Sequence, residues 1–207
     1  MKTLTKEMQS RLSPEQAIEI LVKGNERFVN NLKSNRNLLQ QVNETSDGQH
    51  PFAVILSCID SRTSAELIFD QGLGDIFSVR IAGNILNEDI LGSMEFACKV
   101  AGAKSIVVLG HTKCGAVKGA CDNVKMGNLT HLLEKIQPAL DAETTTTAER
   151  NSGNSDFVEK VASLNVKLTM KQIIQNSNIL SEMLAKKEIS MIGGMYDVET
   201  GAVDFYS

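Results

Sequence analysis

Two short stretches of the sequence combine side chains that could bind a metal. "CIDSR" places Cys58, Asp60 and Arg62 at alternate positions directly after an apolar run, and "GHTKCG" supplies His111 and Cys114 later in the chain. Two thiolates and one imidazole are a donor set that zinc prefers, and three protein ligands leave a fourth coordination position open. The two stretches therefore predict a catalytic zinc site, provided that the fold brings them together.

Each of these signals also has a purely structural interpretation. A single cysteine after an apolar strand is more often a buried core thiol, and one H-x-x-C motif is weak evidence for a metal. Asp60 and Arg62 favour the functional interpretation, because a carboxylate and an arginine are costly in a core. Beside a metal thiolate they could form an oriented pair.

The composition narrows the classes of protein to be considered. The chain has 207 residues, is 42% hydrophobic and 22% charged, and carries a net charge of −4. These values are typical of one globular domain. We expect no nucleic-acid or membrane partner, because there is no basic run to neutralise phosphates and no apolar stretch approaches the roughly 20 residues that span a bilayer.

The four cysteines and the first residues of the chain indicate a cellular compartment. "MKTLTKEMQSRLSPEQ" contains no apolar segment of the kind found in secretory signals. Four cysteines in a chain of this kind favour buried thiols, metal ligands or nucleophiles over disulfides. We therefore expect a cytoplasmic protein, with Cys98 and Cys121 as packing thiols.

The N-terminal part of the chain predicts a helix followed by an arm. Ser13, Pro14 and Gln16 form a helix start, and an apolar face follows it. The polar stretch 34–49 is interpreted as an extended arm or loop. We expect 1–50 to be a helix and arm that pack on a partner subunit, and 51–207 to be the zinc-binding α/β catalytic domain.

From residue 51 onward, strands and helices alternate. Continuous apolar runs at 52–56, 76–81 and 105–110 predict buried strands. Helices are expected at 63–72 with a Thr63/Glu66 capping box, and at 89–100, 114–121, 129–140 and 156–186. "ETG" predicts a hairpin turn near the end of the chain. The predicted fold class is α/β: an open, mainly parallel sheet flanked by helices, with an N-terminal helical arm.

This fold explains how the two stretches could meet. Ligands of open parallel sheets bind beyond the carboxyl ends of the strands. Cys58 ends the first predicted strand, whereas His111 and Cys114 follow the third. If those strands are neighbours, the three side chains converge on one crevice.

The combined motifs resemble the β-class carbonic anhydrases. The likeness rests on "CIDSR" with Glu66 four residues on, "VRIAGN" and "GHTKCGAV", and it resumes faintly in "MIGGMYDVETGAV". The resemblance implies one Zn²⁺ per subunit, held by Cys58, His111 and Cys114. It also implies that Asp60 and Arg62 form a dyad beside the fourth site, with Asp60 as a fourth ligand in a closed form.

The resemblance further implies a substrate pocket and an oligomer. Gln49 matches a glutamine that hydrogen-bonds substrate, and Phe77, Phe96 and Ala82 fall where the family lines its CO2 pocket. Such pockets form at a dimer interface, so a homodimer or homotetramer is implied. Two positions depart from the usual motif, because Ile59 and Thr63 stand where the family mostly has Ser and Val.

The expected activity is the reversible hydration of CO2 to bicarbonate by a zinc lyase, a carbonate dehydratase. In this hypothesis the Asp60–Arg62 dyad orients zinc-bound hydroxide. One alternative is a hydrolase of CS2 or COS that uses the same site. Another is a non-catalytic zinc-binding protein whose site is closed by Asp60.

Overall fold

The computed structural model describes residues 3–206, and its centre is one five-stranded sheet. The strands are β1 (Ala53–Ser57), β2 (Ile76–Arg80), β3 (Ser105–His111), β4 (Ser190–Tyr196) and β5 (Val203–Tyr206). Their spatial order is β2-β1-β3-β4-β5, and only the β4–β5 pairing is antiparallel. The predicted fold class is confirmed: helices flank a mainly parallel sheet.

The two central strands are buried on both faces, which explains their unbroken apolar sequences. Every residue of β1 and of β3 is buried. Their side chains alternate between two apolar clusters, one containing Val54 and Leu56 and the other containing Ile55 and Leu109. Burial on both faces fixes the register, so the carboxyl ends of β1 and β3 lie side by side.

Helices cover both faces of the sheet. They are α1 (Lys6–Arg11), α2 (Pro14–Val29), α3 (Leu38–Glu44), α4 (Ala65–Ile68), α5 (Glu88–Glu95), α6 (Gly115–Cys121), α7 (Gly127–Glu134), α8 (Gln137–Ala142), α9 (Ser155–Asn176) and α10 (Asn178–Ala185). A 3-10 turn at Ala82–Asn84 and a π turn at Phe96–Val100 complete the described elements. None of the helices within 3–206 combines the length and the hydropathy needed to cross a membrane.

The start of α2 forms as the sequence predicts. The Ser13 side chain accepts a hydrogen bond from the Gln16 backbone, and the Gln16 side chain accepts one from Ser13 in return. This capping box pairs backbone donors that the helix itself cannot pair. Ala17 and Leu21 are fully buried among side chains of the same chain's sheet. A partner-binding role for 1–50 stays a prediction.

The arm is not wholly extended, contrary to expectation. The Asn37 side chain accepts a hydrogen bond from the Gln40 backbone and so caps α3. Gln41, 1% exposed, accepts a hydrogen bond from the Leu73 backbone. This tertiary contact, together with the cap, stabilises a helix of seven residues that would be marginal alone.

Two predicted helices are each divided in two. The expected helix 129–140 is replaced by α7 and α8, and Pro138 lies in the first turn of α8 because proline lacks the amide that a helix interior requires. The expected helix 156–186 is broken at Ser177. The Ser177 hydroxyl accepts a hydrogen bond from the Leu180 backbone and donates one to Glu95 at 2.6 Å, which favours a new helix start.

Candidate metal centre

Three side chains meet at the carboxyl ends of β1 and β3. Cys58 follows β1 directly, His111 is the last residue of β3, and Cys114 precedes the first residue of α6. One thiol sulfur, one imidazole nitrogen and a second thiol sulfur lie within 4.8 Å of one another, and all three residues are buried. The predicted convergence of the two stretches is therefore observed.

The orientation of His111 matches that of a metal ligand. Its Nδ1 lies 2.9 Å from the Thr112 carbonyl oxygen, which can only accept, so Nδ1 carries the proton. Nε2 then presents a lone pair, and this buried atom has no hydrogen-bond partner within residues 3–206. An unpaired buried nitrogen is costly unless something binds it. A nitrogen of this kind beside two sulfurs fits zinc.

The two thiols interact with each other, and their surroundings differ. A hydrogen bond from Cys114, together with the backbone amides of Asp60 and Gly83, holds the pKa of Cys58 far below its usual range against the effect of burial. The same contact with Cys58, reinforced by burial, raises the pKa of Cys114. The surroundings of Cys58 therefore stabilise a thiolate, the form that binds metals.

A glycine turn supplies one of those amides. The Gly83 N–H donates to Cys58 Sγ at 3.3 Å. Gly83 has φ +67°, and a Cβ at this position would lie 2.8 Å from Ile136 Cδ1, so only glycine fits without strain. The sequence analysis noted "VRIAGN" only as part of a motif and missed the contact of its glycine with the thiol.

Asp60 and Arg62 form the predicted pair. Arg62 Nε donates to Asp60 Oδ1 at 2.9 Å and Nη2 donates to Oδ2 at 2.8 Å, while the Arg62 backbone amide adds a third bond to Oδ1 at 3.0 Å. The side-chain bonds from Arg62 hold the pKa of Asp60 well below its usual range, against a smaller effect of burial. Asp60 is therefore ionised at neutral pH.

Two further side chains fix the loop that carries Cys58 and Asp60. Arg80 donates to the carbonyl oxygens of Cys58 at 3.0 Å and Asp60 at 2.6 Å. The Thr63 hydroxyl also lies within bonding distance of both oxygens, at 2.9 and 2.8 Å. The expected Thr63/Glu66 capping box is wrong, because Ser64 precedes α4 and makes no side-chain cap bond. Thr63 holds the site loop instead.

The predicted pocket residues do not all reach this cluster within one chain. Ala82 lies beside Gly83 in the turn at the cluster's edge of the sheet. Phe77 pairs with Val54, four residues before Cys58 in the strand direction, and four residues of strand span about 13 Å. Gln49 is exposed and precedes β1, so it belongs to the opposite edge of the sheet.

Phe96 lies with Phe77 rather than with the metal ligands. It is 53% exposed, and the two rings make an edge contact with centroids 6.3 Å apart. The assignment of Gln49, Phe77 and Phe96 to a substrate pocket stays a prediction that requires a second subunit.

The remaining cysteines are buried away from the cluster, as predicted. Cys98 is 2% exposed within the apolar core, and burial raises the pKa of its thiol to about 12. Cys121 is 8% exposed, and burial, assisted by Asp122, raises the pKa of its thiol to about 11. Neither thiol is activated for nucleophilic chemistry at neutral pH.

Comparison with known proteins gives one consistent family. The sequence profile described as "Carbonic anhydrase" matches residues 53–203. "Carbonic anhydrase 2" from Mycobacterium tuberculosis is 36% identical over 197 residues, covering 91% of each chain. The carbonic anhydrase from Mycolicibacterium smegmatis is 34% identical over 202 residues, covering 94% of each.

Solved structures agree with the sequence relatives. The β-carbonic anhydrase CafA of Aspergillus fumigatus superposes with a TM-score of 0.72 at 28% identity, covering 82% of this chain and 81% of that one. The β-carbonic anhydrase CcaA superposes with a TM-score of 0.71 at 27% identity, covering 92% and 95%. The chain therefore belongs to the β-class carbonic anhydrase family and, as predicted, is an enzyme of the carbonate dehydratase class, a lyase.

Proposed function

We propose that this enzyme hydrates CO2 reversibly to bicarbonate and a proton, with one zinc ion bound by Cys58, His111 and Cys114. Two observations carry the proposal. An imidazole nitrogen of His111 and two thiol sulfurs lie within 4.8 Å of one another, and the buried His111 Nε2 has no hydrogen-bond partner within residues 3–206. Zinc bound to such a site acts as a Lewis acid that makes hydroxide available near neutral pH. The chain's own residues must then orient the nucleophile and admit substrate.

Asp60 supplies the orientation through one particular oxygen. Oδ1 accepts two hydrogen bonds from Arg62, whereas Oδ2 accepts one, so within the described residues Oδ2 retains a lone pair for a further donor. An ionised carboxylate can accept a hydrogen bond from the attacking oxygen and so direct that oxygen's lone pair at CO2. Arg62 keeps Asp60 ionised and limits its rotation.

The Asp60–Arg62 pair also supports an open site over a closed one. The metal-ligand group within residues 3–206 comprises Cys58, His111 and Cys114, without Asp60. A carboxylate held by three hydrogen bonds from Arg62 would have to give them up to reach the fourth coordination position. We therefore favour the catalytic function over a zinc site closed by Asp60.

We further propose that two subunits complete each substrate pocket. Gln49, Phe77 and Phe96 lie away from the metal ligands of their own chain, and large apolar side chains on α3 (Leu38, Leu39 and Val42) are exposed. Exposed apolar groups on one helix favour an interface. A β-carbonic anhydrase from Sordaria macrospora, which superposes with a TM-score of 0.68 at 25% identity, is tetrameric. A cytoplasmic location stays a prediction.

The test of the proposal compares two cysteines. Purified protein should contain stoichiometric zinc and hydrate CO2 in a stopped-flow assay. Cys58→Ser should lose most of the metal and the activity, because a hydroxyl is a far poorer zinc ligand than a thiolate. Cys98→Ser, a buried thiol outside the cluster, should keep both. Native protein without zinc, or full activity in Cys58→Ser, would contradict the proposal.

A further inference from the structure

The buried face of α9 contains an asparagine among apolar side chains. Asn165 is 4% exposed, and its neighbours on that face include Val158, Val161, Ala162 and Val166. A buried amide is costly unless it is hydrogen-bonded. Asn165 Nδ2 donates to the Gly83 carbonyl oxygen at 2.8 Å, and this bond is itself buried. The asparagine therefore joins α9 to the turn beside the metal cluster.

Gly83 connects that bond to a metal ligand. Its carbonyl accepts from Asn165, while its own N–H donates to Cys58 Sγ at 3.3 Å. The two groups are separated only by the backbone dihedrals of Gly83, which has φ 67° and ψ 19°. Glycine has no strong preference of its own between left- and right-handed backbone, so contacts hold this conformation. One of them is the hydrogen bond from the Asn84 N–H to the Ile81 carbonyl oxygen, which closes the turn, and the bond from Asn165 is another.

Packing limits the turn on a second side. A Cβ at Gly83 would lie 2.8 Å from Ile136 Cδ1 and 3.2 Å from Ala116 Cβ, so both side chains pack close to the turn. These apolar contacts restrict how far the turn can move, but they do not select the direction of a peptide dipole. The hydrogen bond from Asn165 does so, because an amide N–H binds a carbonyl oxygen directionally.

We propose that Asn165 is a positioning residue that aims the Gly83 N–H at the Cys58 sulfur and thereby tunes the bond between that thiolate and the metal. An N–H donor withdraws charge from a thiolate, and groups that hydrogen-bond to a metal's ligands commonly alter the metal affinity. The inference rests on the zinc site proposed above. Within residues 3–206, the side-chain hydrogen bond of Asn165 goes to Gly83 and not to a metal ligand or the dyad, so its effect is transmitted by Gly83.

The same helix offers a matched control. Thr169 lies one turn beyond Asn165 and is 2% exposed, and its hydroxyl is 3.5 Å from the Asn84 carbonyl oxygen. Thr169 thus contacts the same turn but has no bonded connection to Cys58. A variant at this position measures what general loosening of the turn does to the site.

The experiment uses cobalt(II) in place of zinc, because thiolate-to-cobalt charge-transfer absorption reports the electron density on sulfur. In Asn165→Leu and Asn165→Asp, the charge-transfer band should shift to lower energy. Competition with a chelator should show metal binding weakened about 10-fold or more. Thr169→Val should leave the band in place and weaken binding by less than about 3-fold.

Each outcome bears on the inference. A band and an affinity unchanged in both Asn165 variants, or equal shifts in Thr169→Val, would overturn it even if thermal stability fell. If the Asn165 variants do not fold, the N–H···S bond is tested in wild-type protein loaded with cadmium-113. Scalar coupling between the metal and the Gly83 amide proton requires this bond and should be observed. Its absence would overturn the inference. Wild type that binds no cobalt through thiolate would instead overturn the zinc site itself.

Discussion

Two aspartate–arginine clusters of this chain combine the same residue types in different surroundings. At the metal centre, Asp60 is 19% exposed and Arg62 is 48% exposed. Near the arm, Asp70 is 5% exposed and Arg36 is 7% exposed, with Arg27 as a second cationic partner. In both places arginine hydrogen bonds lower the pKa of the aspartate. A depressed pKa alone therefore does not distinguish them.

The difference lies in the acceptor capacity that remains. Both oxygens of Asp70 are used: Oδ1 accepts from the Ser34 backbone and from Arg36, and Oδ2 accepts from Arg27 and twice from Ser34. Asp60 Oδ2 accepts one bond, from Arg62, within the described residues. A saturated, buried carboxylate stabilises the fold, whereas an unsaturated one beside a metal site can take part in chemistry.

The largest expected effect separates the two clusters by activity. In Asp60→Asn, the rate of CO2 hydration should fall by about 1,000-fold, equivalent to about 4 kcal/mol of activation free energy. A neutral amide accepts a hydrogen bond from the attacking oxygen more weakly than a carboxylate does, and so orients that oxygen less well. Stopped-flow assays at matched zinc content measure the loss. Asp70→Asn serves as the control and should keep near-native turnover per folded molecule. Equal losses in both variants would remove the distinction.

The second effect separates them by stability. Asp70→Asn should lower the free energy of unfolding by about 3 kcal/mol, since it removes the charge of a buried carboxylate that accepts hydrogen bonds from both Arg27 and Arg36. Urea unfolding followed by circular dichroism measures this change. Asp60→Asn should cost less than about 1 kcal/mol, because its pair is partly solvated. A larger cost for Asp60→Asn than for Asp70→Asn would reverse the assignment.

The third effect is the acid dependence of the Asp70 cluster. Burial raises the pKa of Asp70, but hydrogen bonds from Arg27, Ser34 and Arg36 outweigh it and bring the pKa to about 2. A lowered pKa contributes stability that is fully present above the unfolded pKa, about 4, and is lost as the pH falls toward 2.

This loss can be measured as a difference between wild type and Asp70→Asn. Their unfolding free energies should differ most at pH 5 to 6. This difference should decrease by up to about 2 kcal/mol as the pH approaches 2. Both proteins are compared with chelator present, so that metal release does not contribute. A difference that is constant over this range would show that the charge of Asp70 is not the source of its stabilising effect.

The smallest effect concerns an ion pair next to the metal centre. Lys113, between His111 and Cys114, pairs with Glu199, but the two side chains are 49% and 67% exposed. Lys113→Met should therefore change the free energy of unfolding by no more than about 0.5 kcal/mol. Chemical denaturation tests this. A loss of unfolding free energy above about 1 kcal/mol would mean that solvent exposure does not determine how much an ion pair stabilises this chain.

The elements that the sequence predicts well are those with strong local signals. The wholly apolar runs became central strands, and Ser13, Pro14 and Gln16 began a helix as expected. The errors occur where a distant contact decides. Ser177 breaks a long helix because its hydroxyl bonds Glu95, and α3 forms because Gln41 packs against the backbone near Leu73. Nothing near these residues in sequence encodes the partner.

Asn165 was missed for a related reason, although a signal was present. It shares a helical period with Val158, Val161, Ala162 and Val166, and a polar residue on an apolar face indicates a specific buried bond. That pattern shows that a partner must exist but does not identify Gly83. The partner lies on an element 82 residues away in sequence.

The sequence by itself determined which side chains could bind a metal, because thiolate, imidazole and carboxylate are properties of residue types, and the motifs fix their spacing along the chain. It also determined the layered α/β fold through apolar runs and helix caps. Only the tertiary structure decided which nitrogen of His111 is left without a hydrogen-bond partner, which oxygen of Asp60 keeps acceptor capacity, and which glycine amide donates to Cys58. These are consequences of directional hydrogen bonds between segments that meet only when the chain is folded.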